Sequence, residues 1–331
     1  MKVLICSNGP WPAGDHRMDW TVGELQRVGF VQEYKIFSHG GFDPEKRKQF
    51  LERVEAEMAG FNPDVVIWHK DSGSDLPETL IQKVSRQSCL IYHDLDPWSR
   101  WLNPIGRNQQ LFAKHARRTC LCGLGEIADQ FGIAGDRIRY VPHGYYDLDI
   151  PAVPSKRSRK LVFIGSSIRK GRPFLGNLAP ELHPGRANAV RTLRKRLGTR
   201  FIVHGMGYPR SWWIEPTEFD RQFVLMNENI ASFAIDQVPR AAGYFSNRTP
   251  FALALGSIHF KMYRPSDDAQ FRGCPGCISV KTADEAAEAF EVFAALSKDS
   301  LDAIAEETRV FARARFRTPD LMRAMVEEAL S

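Results

Sequence analysis

The chain has 331 residues, 43% hydrophobic and 25% charged, a globular composition that excludes wholesale disorder. That length exceeds what one hydrophobic core ordinarily supports, so two domains are expected. The formal net charge is +6, and its placement along the chain says more than its size.

Short apolar runs alternate with amphipathic stretches from the start. Strand patterns fall at 3–7, 34–38, 65–69, 90–94, 119–122 and 138–142. A helical pattern covers 44–59, with Pro44 at its first position and Phe50, Leu51, Val54 and Met58 on one face. Such alternation predicts a parallel sheet wrapped by helices, with ligands at the carboxyl ends of strands. The first strand is too short to be the core of a signal peptide, and no apolar stretch approaches the roughly 18 residues of a membrane span. Six cysteines scattered among apolar runs fit a reducing compartment, so a cytoplasmic chain is expected.

Two places in this half carry candidate acid and base groups. The Gly- and Pro-rich loop after the first strand holds Asp15 and His16, but lacks the Gly-x-Gly-x-x-Gly spacing of a dinucleotide fingerprint. Tyr92-His93-Asp94-Leu95-Asp96-Pro97 follows a later strand, and Asp94 there is a candidate general base for an acceptor hydroxyl. Asp94 and Asp96 read equally well as turn residues ahead of Pro97. No metal is assigned to Asp94-Leu95-Asp96, because the same tripeptide recurs by chance at Asp147-Leu148-Asp149.

Residues 147–160, with two prolines, two serines and four basic residues, read as a linker between domains at 1–146 and 161–315. Beyond it, strand patterns return at 161–165, 201–204, 232–235, 258–262 and 278–280. Helical patterns cover 187–197, 218–227, 247–255 and most of 283–330. A terminal helix at 316–331 is expected to pack back towards the first domain. The reading is two doubly wound α/β domains.

The second domain opens with Phe163-Ile164-Gly165-Ser166-Ser167-Ile168-Arg169-Lys170-Gly171-Arg172. Glycine lets a ligand approach the backbone, amides and hydroxyls donate to phosphate oxygens, and the cations neutralise charge. Further on, Ser246 or Asn247 can cap a helix beside Arg248, which favours an anion at the free amides. Two other features read as structural: the lone Cys274-Pro275-Gly276-Cys277 as a turn, and Trp212-Trp213 as a loop anchor or a stacking platform.

Phe-Ile-Gly-Ser with its following cations, His204-Gly205-Met206-Gly207, Gly243-Tyr244-Phe245-Ser246-Asn247-Arg248-Thr249 and Tyr263-Arg264-Pro265 together resemble the CgeB-like (spore-maturation) glycosyltransferases. The likeness is specific over about 161–280 and looser before it, where Val141-Pro142-His143-Gly144 is its clearest part. It implies a GT-B fold: two Rossmann-like domains facing a central cleft. It also implies a nucleotide-diphosphate sugar as co-substrate, with no other cofactor and no obligatory metal. The donor-binding residues it implies are Gly165, Ser166, Ser167, Arg169, Lys170, His204, Gly205, Tyr244, Ser246, Asn247, Arg248 and Thr249. The family's Glu in this motif is replaced by Phe251.

The expected function is therefore metal-independent transfer of a sugar to an acceptor hydroxyl on a glycan, a protein or a modified nucleobase. The alternative is a catalytically degenerate protein that keeps the nucleotide-sugar site. Residues 151–224 carry 15 basic and 4 acidic side chains, more than one diphosphate needs. Arg191, Arg194, Lys195, Arg196 and Arg200, with Lys156 to Lys160, thus form a candidate surface for nucleic acid or an anionic envelope.

Overall fold

The computed structural model describes residues 1–7, 16–38, 44–71, 76–96, 104–166, 185–205, 208, 217–236, 241–262 and 268–331. The chain begins β1 (Lys2–Ser7), α1 (His16–Arg27), β2 (Glu33–Ser38), α2 (Pro44–Gly60), β3 (Val65–His69), α3 (Glu78–Gln87) and β4 (Cys89–Asp94). It continues α4 (Arg107–His115), β5 (Arg118–Leu121), β6 (Leu124–Gly125), β7 (Ile138–Tyr140), β8 (Ser158–Ile164), α5 (Arg186–Leu197) and β9 (Phe201–His204). Next come α6 (Arg221–Glu228), β10 (Asn229–Ala234), β11 (Ala241–Ala242), α7 (Arg248–Ala254), β12 (Ile258–Met262) and α8 (Asp268–Phe271). The last elements are β13 (Cys277–Val280), α9 (Ala283–Ala295), α10 (Lys298–Phe316) and α11 (Thr318–Leu330).

These elements form two compact units: Met1–Pro142 with Arg240–Gly243 and Thr318–Ser331, and His143–Pro239 with Tyr244–Arg317. The first unit holds a parallel sheet in the order β2-β1-β3-β4-β5-β7. Helices cover both faces of such a sheet, so its inner strands are apolar throughout rather than alternating. Val65, Val66, Ile67 and Trp68 of β3 are accordingly all buried. Met322, Met325, Val326 and Ala329 of α11 join Val3, Ile5, Val65 and Ile67 in one core, which places the last helix of the chain in the first unit. A short antiparallel pair, β6 with β11, ties residues 241–242 to the same unit. Nothing in its two-residue strands marks it in the sequence.

The second unit has the parallel order β13-β12-β10-β8-β9. In both sheets the first and third strands of the unit are neighbours, with the second outside the first. The crossovers therefore diverge between β1 and β3, and again between β8 and β10. That split opens a crevice outside the carboxyl ends of those strands, where ligands of doubly wound sheets bind.

Strands β3, β9 and β12 occupy the residues their patterns predict. The linker reading is too long at its end, because Ser158 to Lys160 already belong to β8. Asp147–Asp149 is a single 3-10 turn. The helical stretch near the carboxyl end divides into three. Ser297 caps α10 by accepting the Ser300 N–H, and Arg317 is extended between α10 and α11.

Val326→Asp places an unpaired carboxylate among apolar side chains and is expected to destabilise the first unit by several kcal/mol, about 3 or more. Hydrogen exchange should rise in β1 and β3 and stay unchanged in β8 and β10.

Candidate functional site

The carboxyl edge of the second sheet begins where β8 runs out. Gly165 donates its N–H to the carbonyl of His204, the last residue of β9, and its own carbonyl accepts the Tyr208 hydroxyl at 3.0 Å. A Cβ on Gly205 would sit 2.1 Å from the Gly165 oxygen, and Gly205 has a φ of +157°. Only glycine allows this close passage of two backbones.

Arg186, the first residue of α5, reaches under this turn. Its guanidinium donates to the carbonyl of Ser166 and to that of Ile235, both at 2.8 Å. One planar fork thus joins the ends of β8 and β10 at the point where the sheet splits. Arg186 is buried, and desolvation holds its pKa down at about 10, with Arg248 pressing the same way. Burial also lowers the pKa of Arg248, whose guanidinium contacts the Ser246 hydroxyl at 3.4 Å. The Nε of Arg186 and that of Arg248 are both buried and have no hydrogen-bond partner among the described residues.

Asp236 organises the surroundings. Its Oδ1 accepts the Ser246 N–H at 2.8 Å, and its Oδ2 lies 3.1 Å from the buried Lys261 ammonium. Its field also acts on Arg186 and Arg248. Three cations around one carboxylate leave a formal surplus of two positive charges. Desolvated cations with open N–H groups are costly unless an anion completes them.

Several donor residues named from sequence have other duties. Thr249 is fully buried and its hydroxyl meets His259 Nε2 at 3.1 Å, so it anchors α7 to β12 and does not face a ligand. His259 also bonds the Ser232 hydroxyl through Nδ1 at 2.8 Å, and burial depresses its pKa to about 4. Asn247 occupies the N-cap position with helical backbone angles and makes no side-chain cap bond. Ser246 Oγ accepts the Arg248 N–H instead, at 3.3 Å. Helix α7 has only seven residues, too short for a helix dipole of any weight. Tyr244 is buried, with its ring 6.1 Å from that of His143. Phe251 stacks on Phe223 at 4.1 Å and lies 6.3 Å from Tyr146, which makes this position part of the core.

Ser167, Arg169, Lys170 and Asp15 lie outside the described residues, as do Trp212, Trp213 and the stretch 263–267. The basic block is partly neutralised within its own unit. Arg196 pairs with Asp284 and Glu288 on α9, and Arg200 with Glu291. Arg157 donates to the carbonyls of Leu255 and Gly256, and Arg159 to those of Ala294 and Leu296. Arg186 belongs to the same block, and composition alone does not separate it from the surface cations. A helix-initial Arg after a strand and glycine loop was the available cue.

The first unit carries its own polar edge. Asp94 does not stand open as its sequence position suggested. It is fully buried, accepting the Tyr92 hydroxyl at 2.6 Å and the Asp96 N–H at 2.9 Å. His16 opens α1 and is half-buried. Sequence reasoning missed His69, whose Nδ1 lies 3.1 Å from that of His93. It also missed Asp71, which accepts from Arg47 at 2.8 Å, Trp68 Nε1 at 3.2 Å and Asn108 at 2.9 Å. Among the described residues no group of three or more His, Cys, Asp or Glu is placed to hold a metal ion. No helix among them is long and apolar enough to cross a membrane.

No family model matches the sequence, and no curated protein matches it. Solved structures do match the fold. A glycosyltransferase from Rickettsia africae aligns with a TM-score of 0.64 at 12% identity, covering 99% of this chain and 97% of that one. AviGT4, a glycosyltransferase involved in avilamycin A biosynthesis, aligns at 0.59 and 14% identity, covering 100% and 97%. Anabaena HepE, in complex with UDP and glucose, aligns at 0.58 and 10% identity, covering 100% and 99%. The fold is GT-B, with two Rossmann-like α/β domains.

The buried His259 gives the second unit a pH signature. Its folded pKa of about 4 lies below the ordinary value near 6.5, so the unfolded chain binds the extra proton first. Its contribution is intact above pH ~6.5 and falls away towards pH ~4, by about 3 kcal/mol in all. Urea midpoints measured against pH should slope less across that window in His259→Gln than in wild type. Phe251→Glu should unfold the second unit instead of creating a ligand contact, visible as loss of near-UV circular dichroism.

Proposed function

We propose that this chain is a glycosyltransferase that takes a sugar from a nucleotide-diphosphate donor to an acceptor hydroxyl without a metal, in the manner of the CgeB-like enzymes it resembles. The observation that carries this reading is the pair of buried, incompletely bonded guanidiniums of Arg186 and Arg248 beside the Gly165–Gly205 turn. The GT-B fold supports it, as does the UDP held by the Anabaena structure, although one fold hosts many activities.

In this reading the donor's diphosphate lies at the carboxyl ends of β8 and β10. Negative charge grows on it as the bond to the sugar breaks, and cations already fixed in a dry site stabilise that charge without reorganising. Arg248 acts directly on the phosphate. Arg186 holds the two strand ends in register and adds its field from beneath. Asp236 keeps Ser246 and Lys261 in place and limits the positive surplus to what a diphosphate balances. The acceptor is a hydroxyl of a glycan, a protein or a modified base, and the protein acts in the cytoplasm.

Titration calorimetry with UDP tests the donor site. Arg248→Gln is expected to weaken binding about 10–100-fold, the worth of one charge-assisted hydrogen bond. Arg186→Lys should weaken it too, because an ammonium does not bridge two carbonyls as a fork does. Release of nucleoside diphosphate from a panel of nucleotide sugars then tests transfer. Absence of binding by every nucleoside diphosphate would overturn the reading. Binding without turnover would favour the degenerate protein, and sugar epimerisation without nucleotide release would mean a different activity on the same fold.

A further inference from the structure

Helix α5 carries Arg186, Arg191, Arg194, Lys195 and Arg196, and no acidic residue. Its inner face, Ala189, Val190, Leu193 and Leu197, is buried in the core of the second unit. The cations divide by direction. Arg186 turns inward, and Arg196 meets Asp284 and Glu288 of α9. Arg191, Arg194 and Lys195 have the i, i+3, i+4 spacing that sets them on one face, with Arg191 and Lys195 exposed and Arg194 half-buried. Lys160 adds a fourth cation near the end of that helix. The register of β8 with β9 sets Leu161 beside Phe201, so the exposed Lys160 stands level with the turn at 198–200. Among the described residues none of these four has an ion-pair partner.

The arrangement costs the helix something. Arg191 faces like charge at both Arg194 and Lys195, and such pairs destabilise a helix. The helix dipole offsets this for Arg194 and Lys195 in the last turn, but not for Arg191 in the middle. Arg196 and Arg200 are each given carboxylates on α9, so compensation stops at the outward face. An anion outside the unit would restore the balance. The chemistry of that anion follows from the setting. Helix α5 is packed along β9 and α9, so it does not project into a duplex groove as a recognition helix does. It holds no aromatic side chain on which unpaired bases could stack. What it offers is a row of long cationic side chains on a helix backed by a sheet. A plane of phosphate headgroups asks for charge alone, and this face supplies it.

We infer that the outward face of α5, with Lys160, docks the protein on an anionic phospholipid surface through the headgroup phosphates. The inference goes beyond the glycosyltransferase reading and does not depend on it. No apolar side chain of α5 is both large and exposed, so the contact is electrostatic and reversible, without insertion into the bilayer. Each unpaired cation near such a surface strengthens binding about fivefold, and salt screens the effect. The face runs towards the amino edge of the sheet, whereas Gly165 and Asp236 stand at the carboxyl edge. Docking therefore leaves the donor edge open.

Sedimentation of the full chain with sucrose-loaded vesicles decides it, using phosphatidylcholine with or without about 30% phosphatidylglycerol. Binding is expected only with phosphatidylglycerol, and should fall steeply as salt rises from about 0.05 to 0.5 M. Arg191→Gln, Arg194→Gln and Lys195→Gln together should lower the partition about 100-fold. Arg191→Gln or Lys160→Gln alone should lower it about fivefold, which keeps the test readable should the triple variant fold poorly. Arg200→Gln combined with Glu291→Gln removes a paired cation together with its carboxylate, and should leave the partition unchanged. Equal binding to both kinds of vesicle, full binding by the variants, or an equal loss in the paired control would overturn the inference. A random DNA duplex bound more tightly than the vesicles, and released by the same triple variant, would overturn it too and assign the face to nucleic acid.

Discussion

A parallel strand covered by helices on both faces has no side chain to offer a ligand along its length, and this constraint shapes both units. The inner stretches of β1, β3, β8 and β10, at 3–6, 65–68, 161–164 and 230–234, are almost wholly apolar, so polar groups collect where the strands stop. The backbone there also runs out of ladder partners, leaving carbonyls that need donors. At Ser166 and Ile235 the donor is Arg186, and this one guanidinium joins the strand ends on either side of the split. The passage of Gly205 past Gly165, and the seat of Ser246 on Asp236, both belong to that edge.

Burying charge in such a place is expensive, and the arrangement shows how the cost is contained. Lys261 and Asp236 compensate each other, and carbonyls take most of what Arg186 donates. Among the described residues, the Nε of Arg186 and that of Arg248 have no hydrogen-bond partner. A stability role alone would favour apolar replacements of similar size. The anion site we propose gives these cations a reason to stay. The same logic accounts for His259, kept neutral by burial so that it can link Ser232 and Thr249 without adding charge.

The candidate site was legible in part. Gly165, Ser246 and Arg248 stand where a strand–turn–helix reading puts them, because local chain chemistry dictates such turns. Thr249 and Asp94 differ from their sequence readings for a common reason. Strand and helix patterns say that a residue is near an edge, but the direction of its side chain depends on what packs beside it. Arg186 was missed because it lies some twenty residues from the glycine turn along the chain and meets it only in space.

The sequence by itself determined the two α/β domains, their strand positions and the turn chemistry at the start of the second domain. Hydrophobic periodicity and glycine placement are local properties, and they survive without knowledge of neighbours. Only the tertiary structure decided that β11 pairs with β6, that Arg186 meets Ile235 and that His69 meets His93. Each of these joins segments far apart in the chain through a crossover, and strand order and register set such meetings. The basic block shows the difference most plainly. Its composition called for an anionic partner, while its fold assigns Arg157, Arg159, Arg196 and Arg200 to carbonyls and carboxylates of the same unit and turns Arg186 inward.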